Sequence, residues 1–422
     1  MFEIVTLPNG VRVALETMPF VRSAAVGVWV ESGSRHETPE TNGISHFIEH
    51  MLFKGTARRT AKDIADEMDA VGGQLNAYTT KECTCYHARV LDTHLEKAVD
   101  VLSDMFFHSA FAPAEIERER GVILEEIAMY EDTPEDIAHD GLQAAAWRGS
   151  ALGMPIQGTA ASIAPFTQET FRAYMSAHYR PERTVLSVAG NFDRDKTLAL
   201  LEKAFGNFPT TADAPAAPAL TVYSPGAAAE AKDVEQLHLC LGFPGISVDS
   251  EESYTLAVMN AYLGGGMSSR LFQSLREDSG LVYSIYSSHE AFRGAGLFTI
   301  YAALNPQQAK AALALIHAEI VGLLNGGITA EELERKKEQL KSSYLLSLES
   351  SGGRMGSIGR STLLLNRILS PDELIARIDR VDLPGVLDLA KRIFRLDQLS
   401  LSAAGGTKGI DAKELITYVQ SL

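Results

Sequence analysis

Residues 46–56 read His46-Phe47-Ile48-Glu49-His50-Met51-Leu52-Phe53-Lys54-Gly55-Thr56. They fall in a segment, about Ile44 to Phe53, whose apolar residues recur with the period of a helix. Positions i, i+3 and i+4 of a helix share a face, so His46 and His50 can grip one metal ion. Glu49 then stands beside them without having to be a ligand. The order His-x-x-Glu-His inverts His-Glu-x-x-His and belongs to the zinc hydrolase motifs. The plain alternative is a helix carrying two satisfied histidines and a surface glutamate.

A catalytic zinc site takes three protein ligands and keeps a fourth position open. The third ligand must come from another element facing this helix. Residues 113–130 predict a helix, with Pro113 in the first turn where proline is tolerated. It carries Glu115, Glu117, Glu119, Glu125 and Glu126. Glu119 and Glu126 share a face, and Val122 and Ile123 on the same stripe suggest that it turns inward. Glu125 is rotated about 100° away.

Outward from these two segments, residues 2–15 alternate around Pro8-Asn9-Gly10 and predict a β-hairpin. Further strands are expected at Ala24–Glu31, within Gln74–Val90, and at Thr184–Ala189. Helices are expected at Ala61–Val71, stopped by Gly72-Gly73, and at His94–Phe107. Residues 209–232 are rich in Ala, Pro and Thr and lack periodicity, which marks a boundary. The second half weakly repeats the first. A shift of 207 brings Met68, Gly73 and Leu75 onto Leu275, Gly280 and Val282, and a shift of 217 brings Glu115–Arg118 onto Glu332–Arg335. The expected organisation is a metal-bearing domain over 1–210, a linker over 211–232, and a homologous domain over 233–422. The fold class is α+β, each domain a mostly antiparallel sheet covered by helices. Ser253, Leu256 and Ala257 stand where His46, Glu49 and His50 would be, and Lys336 and Ser343 replace Glu119 and Glu126. Five groups lost together point to one shared site, in the first half alone.

Composition narrows the function. The chain has 422 residues, 45% of them hydrophobic and 22% charged, with a net charge of −16. Such an acidic surface repels nucleic-acid phosphates. No apolar run is long enough to span a membrane. The start, Met1-Phe2-Glu3-Ile4-Val5, shows neither signal nor transit character, so a cytoplasmic location is expected. Three sparse cysteines, Cys83, Cys85 and Cys240, argue for a reducing compartment and against a disulfide framework. Cys83 and Cys85 lie two apart in an apparent strand and read as small buried side chains.

Over nearly its whole length the chain resembles the insulinase or pitrilysin family of zinc peptidases, in its short bacterial branch near the mitochondrial processing peptidases. The residues that carry the resemblance are His46–Thr56, Leu75-Asn76-Ala77-Tyr78-Thr79, and Glu117-Arg118-Glu119 with Val122-Ile123-Leu124 and Glu126. Tyr179-Arg180-Pro181, Gly264–Phe272, Leu275-Arg276 and Gly280–Tyr283 add to it. It implies an endopeptidase with one Zn²⁺ per chain, acting on extended peptides or unfolded protein segments. His46, His50 and Glu126 would be the ligands, Glu49 the base, and Glu119 a supporting catalytic group. Asn76 and Ala77 would line the bound peptide, and Arg276 and Tyr283 in the non-metal half would orient it. Asp136 and Asp140 match positions that bind an Arg just upstream of the cut in processing peptidases, and their spacing suits a guanidinium. An N-terminal helical turn enriched in acids is the plain reading of the same stretch. The resemblance further implies a homodimer, or a heterodimer with an inactive homologue. The competing function is a catalytically silent structural or partner subunit of the same fold; such subunits lose the metal motif, which is intact here.

Overall fold

The computed structural model describes residues 2–208, 218–407 and 409–422. It divides into two compact units. The first comprises Met1–Ile127, Met154–Pro218 and Leu345–Leu369; the second comprises Ala128–Gly153, Ala219–Tyr344 and Ser370–Leu422.

In the first unit the strands are β1 (Phe2–Thr6), β2 (Arg12–Thr17), β3 (Ser23–Val30), β4 (Gln74–Thr79), β5 (Thr84–Leu91) and β6 (Thr184–Gly190). They form one sheet in the order β1-β2-β6-β3-β5-β4. Only β2 and β6 run parallel; the other neighbours are antiparallel. The central strands β3 and β6 are Val- and Ala-rich and almost wholly buried, as strands covered on both faces must be. One face packs on a core built from helices, among them Ile44–Leu52, Leu95–His108 and the segment containing Ile116 and Ile123. The other face, with Trp29, Cys83, Cys85 and Val185, is covered by Met355, Ile358 and Leu363 of helix Ser351–Leu365. Strand β4 ends the sheet, and its residues alternate between exposed and half-buried.

In the second unit the strands are β7 (Ala227–Ala231), β8 (Leu237–Pro244), β9 (Val282–Phe292), β10 (Ala295–Leu304) and β11 (Ser400–Gly405), in the order β7-β11-β8-β10-β9. The only parallel pair is β7 with β11. This is the order and polarity of β2-β6-β3-β5-β4 again, so the weak repeat in sequence is a repeat of topology. Helix Pro134–Ala146 covers one face of this sheet with Ala138, Leu142 and Ala146.

The domain division differs from the expected contiguous blocks 1–210 and 233–422. Each sheet takes a covering helix from the other end of the chain, Ser351–Leu365 for the first and Pro134–Ala146 for the second. An apolar helix face declares that it must be buried but not against which sheet. Within the expected linker 211–232, Ala227–Ala231 is strand β7; residues 209–217 lie outside the described residues. The three cysteines are free and buried. Among the described residues, no helix is long and apolar enough to cross a membrane.

Candidate metal centre

Helix Ile44–Leu52 carries the histidines, and its sequence dictates how it sits. Ile44, Phe47, Ile48, Met51 and Leu52 are fully buried, with Phe47 packed on the ring of Phe171 at 4.9 Å. That leaves His46, Glu49 and His50 on the opposite side. The start of the helix is pinned by the buried carboxylate of Glu37, which accepts from the backbone N–H of Gly43 at 2.8 Å and of Ser45 at 2.9 Å. These are N–H groups that a helix cannot satisfy internally. Gly43 has φ +93°, and a Cβ there would lie 2.6 Å from the carbonyl of Gln157, so both conformation and space require glycine.

Helix Pro113–Glu131 supplies the carboxylates. Its buried residues are Ile116, Glu119, Ile123 and Ile127. Val122 is exposed, contrary to the inward stripe expected of it. The stripe is centred on Ile116 and Ile123, so Glu126 lies at its edge and Val122 beyond it. For that reason Glu126 is only half-buried, at the rim where a site can open.

Glu126 Oε2 lies 3.7 Å from His46 Nε2 and 3.6 Å from His50 Nε2. Ligands at tetrahedral angles around an ion with bonds of about 2.0–2.2 Å are themselves about 3.3–3.6 Å apart. The three side chains therefore fit a zinc-sized ion in donor type and spacing. They are the only group of three or more His, Cys, Asp or Glu so gathered among the described residues. Burial, and secondarily the charge of His50, pushes the His46 imidazole down to about 3, so it stands neutral with a lone pair to give. Glu125, the neighbour rejected on the helical wheel, is absent from the cluster.

Around this group are contacts that spacing could not show. Glu119, almost fully buried, accepts from His50 Nδ1 at 3.2 Å through Oε2 and forms an ion pair with Lys54 Nζ at 2.7 Å through Oε1. Glu49 Oε2 accepts from the Thr79 hydroxyl at 2.6 Å, at the end of β4. Burial raises the Glu49 carboxyl above its usual range, opposed by the Thr79 bond and the His50 charge. Lys54 and Thr79 both sit inside the quoted motifs, yet nothing in the residues alone singled them out. Asn76 and Ala77 lie on β4, where Asn76 Oδ1 accepts from the Ala77 N–H at 2.8 Å.

The remaining candidates belong to the second unit. Arg276 lies on the π-helical turn Phe272–Asp278, its guanidinium 4.8 Å from the Phe272 ring, and Tyr283 is a largely exposed residue of β9. Asp136 and Asp140 are half-buried on helix Pro134–Ala146, one turn apart. Burial and the charge of Glu135 raise the Asp136 carboxyl.

Comparison with known proteins agrees over the length of the chain. A model of the insulinase family (peptidase family M16) matches residues 12–160, and a model of the peptidase M16 inactive domain matches residues 165–340. A protein of Bacillus subtilis named as an uncharacterized zinc protease is 47% identical over 397 residues, covering 94% of this chain and 97% of its own. One of Streptomyces coelicolor with the same description is 41% identical over 417 residues, covering 97% and 91%. The crystal structure of a protease from Helicobacter pylori superposes with a TM-score of 0.90 over 96% of this chain and 99% of that one; at 23% identity it speaks for the fold. Relatives this similar, spanning nearly all of both chains, place the chain in the insulinase family of peptidases, M16.

Proposed function

We propose that the protein is a zinc-dependent endopeptidase acting on extended peptides. The carrying observation is the meeting of His46 Nε2, His50 Nε2 and Glu126 Oε2, with the Glu49 carboxylate on the same helix face. Relatives named as zinc proteases support zinc as the ion. Zinc in such a site polarises a scissile carbonyl and makes water acidic near neutral pH. Glu49 then takes the proton of the attacking water as its oxygen bonds to the carbonyl carbon. As the carbon–nitrogen bond breaks, Glu49 returns that proton to the leaving amine. Its bond to Thr79 holds the carboxylate in one orientation, and its partly dry surroundings raise its basicity.

Strand β4 supplies the place for substrate. It is the last strand of its sheet, so its outer edge can accept a further strand, and its end carries Thr79 beside Glu49. A peptide paired there would be extended, which favours unfolded segments over folded proteins. The self-contact of Asn76 with the Ala77 N–H covers one edge donor, and a paired peptide would displace it. Family membership supports three finer assignments. Arg276 and Tyr283 orient the substrate. Asp136 and Asp140 hold an Arg upstream of the cut. Two chains act together, the metal half of one serving the Arg/Tyr half of the other.

Cleavage of an unstructured peptide library by the purified zinc-loaded protein tests the activity, with Glu49→Gln as blank. Zinc bound without any cleavage would favour the silent-subunit reading. Mixing Glu49→Gln chains with Tyr283→Phe chains tests the paired arrangement, since hybrid dimers should recover activity that neither parent has. A fully active monomer in sedimentation would refute it.

A further inference from the structure

We propose that Lys54 is a positioning residue for the metal centre, acting through Glu119 on His50. The proposal rests on the reading that His46, His50 and Glu126 hold zinc. Lys54 follows the last turn of helix Ile44–Leu52, and its backbone is fixed from both sides. Its N–H donates to the Met51 carbonyl at 3.1 Å. The next residue, Gly55, has φ +108°, a left-handed bend that glycine adopts without strain. The Gly55 carbonyl accepts from the Ala110 N–H at 3.0 Å, and Thr56 forms a β-bridge with Ser109. Ser109 in turn donates to the Met51 carbonyl at 3.2 Å. The Thr56 hydroxyl and the guanidinium of Arg59 both donate to the buried Asp104, at 2.7 and 2.8 Å. The loop is thus clamped before the Lys54 side chain leaves it.

From that loop the ammonium reaches Glu119 Oε1 at 2.7 Å, while Oε2 of the same carboxylate lies 3.2 Å from His50 Nδ1. Only 3% of the Glu119 side chain is exposed. A charge so removed from water needs partners on both oxygens. Lys54 occupies one oxygen and so leaves the other to face His50. A carboxylate accepting at Nδ1 fixes the tautomer in which Nε2 carries the lone pair, and Nε2 is the atom beside Glu126. Without Lys54, Glu119 has half of its partners and is free to turn away from the imidazole.

The second unit shows that the fold itself does not demand this pair. Under the shift of 207 Ala261 stands at the position of Lys54, and under the shift of 217 Lys336 stands at that of Glu119. Lys336 bonds instead to the Ser268 hydroxyl at 2.8 Å and to Gln339 at 3.3 Å. The ammonium–carboxylate pair is lost together with the histidines, as expected of a group that serves the metal and not the packing.

The test is a zinc-affinity series read by competition with a chromophoric chelator. It uses the full chain as wild type, Lys54→Met, Lys54→Arg, Glu119→Gln and the Lys54→Met/Glu119→Gln double variant, with melting temperatures of the metal-free proteins. Loss of such a supporting contact weakens metal binding by about 10–100-fold. Lys54→Met should lose that much, Lys54→Arg should recover most of it, and the double variant should bind no worse than Glu119→Gln alone. Wild-type affinity in Lys54→Met would overturn the proposal, as would a lowered metal-free melting temperature with unchanged affinity. Losses that multiply in the double variant would also overturn it, because Lys54 would then act by another route. Should Lys54→Met fail to fold, Lys54→Gln carries the same comparison. A wild-type chain that binds no zinc would instead refute the metal site itself.

Discussion

The two units share one sheet topology and differ in what they place on the helix beside it. In the first, helix Ile44–Leu52 buries one side and leaves His46, Glu49 and His50 on the other. In the second, helix Ser253–Leu263 has Leu256 at the position of Glu49, and Leu256 is fully buried. One copy presents three polar groups on that face, and the other places there a packed Leu256 between the half-buried Ser253 and Ala257. The same contrast holds at Glu119 and Lys336, both buried, of which only Glu119 reaches toward a histidine.

Removing the ligands should break this contrast most completely. Glu126→Gln or His50→Ala should lose both zinc and hydrolysis, whereas Glu125→Gln should keep both; metal analysis beside a peptide assay decides. Retained zinc in Glu126→Gln with loss in Glu125→Gln would exchange the ligand assignment. Next in size, Glu49→Gln should lower kcat by about 10²–10⁴-fold while zinc stays at one per chain. Loss of metal in that variant would make Glu49 a ligand.

In the other copy, Leu256→Ala should cost about 2–5 kcal/mol of stability and leave zinc content unchanged. Urea unfolding of this variant against Glu49→Gln puts the packed and the reactive position side by side. An equal loss in both would erase the distinction. Asp136→Asn with Asp140→Asn should lower kcat/KM for a peptide with Arg two or three residues before the cut by about 1–3 kcal/mol. The Ala analogue should be nearly unaffected; equal losses would assign these carboxylates to structure. The smallest effect is expected of Thr79→Val, which removes one hydrogen bond to Glu49, worth about 0.5–1.5 kcal/mol. It should lower kcat several-fold with zinc retained, and an unchanged kcat would show that Glu49 needs no such support.

Much of the fold was legible because it is written in local patterns. The hairpin around Asn9-Gly10, the helix from Ile44 and the helix from Pro113 follow from turn chemistry and apolar period. Val122 shows the limit of such reading. It lies 60° from Glu119 on the wheel, close enough to be grouped with it, and only the packed neighbours show that the buried stripe ends before it.

By itself, the sequence singled out the candidate site: two imidazoles and a carboxylate on one helix face, and an acidic helix able to supply a third ligand. Helical geometry is set within a few residues, so spacing alone suffices to say what shares a face. The tertiary structure alone decided which groups support those residues: Lys54 and His50 on the two oxygens of Glu119, Thr79 on Glu49, and Glu37 beneath the start of the helix. It alone decided, too, that helices Pro134–Ala146 and Ser351–Leu365 cover the sheet at the other end of the chain. The reason is the same for both. Burial and hydrogen-bond pairing join groups tens to hundreds of residues apart, and a polar or apolar side chain carries no record of the partner it will meet.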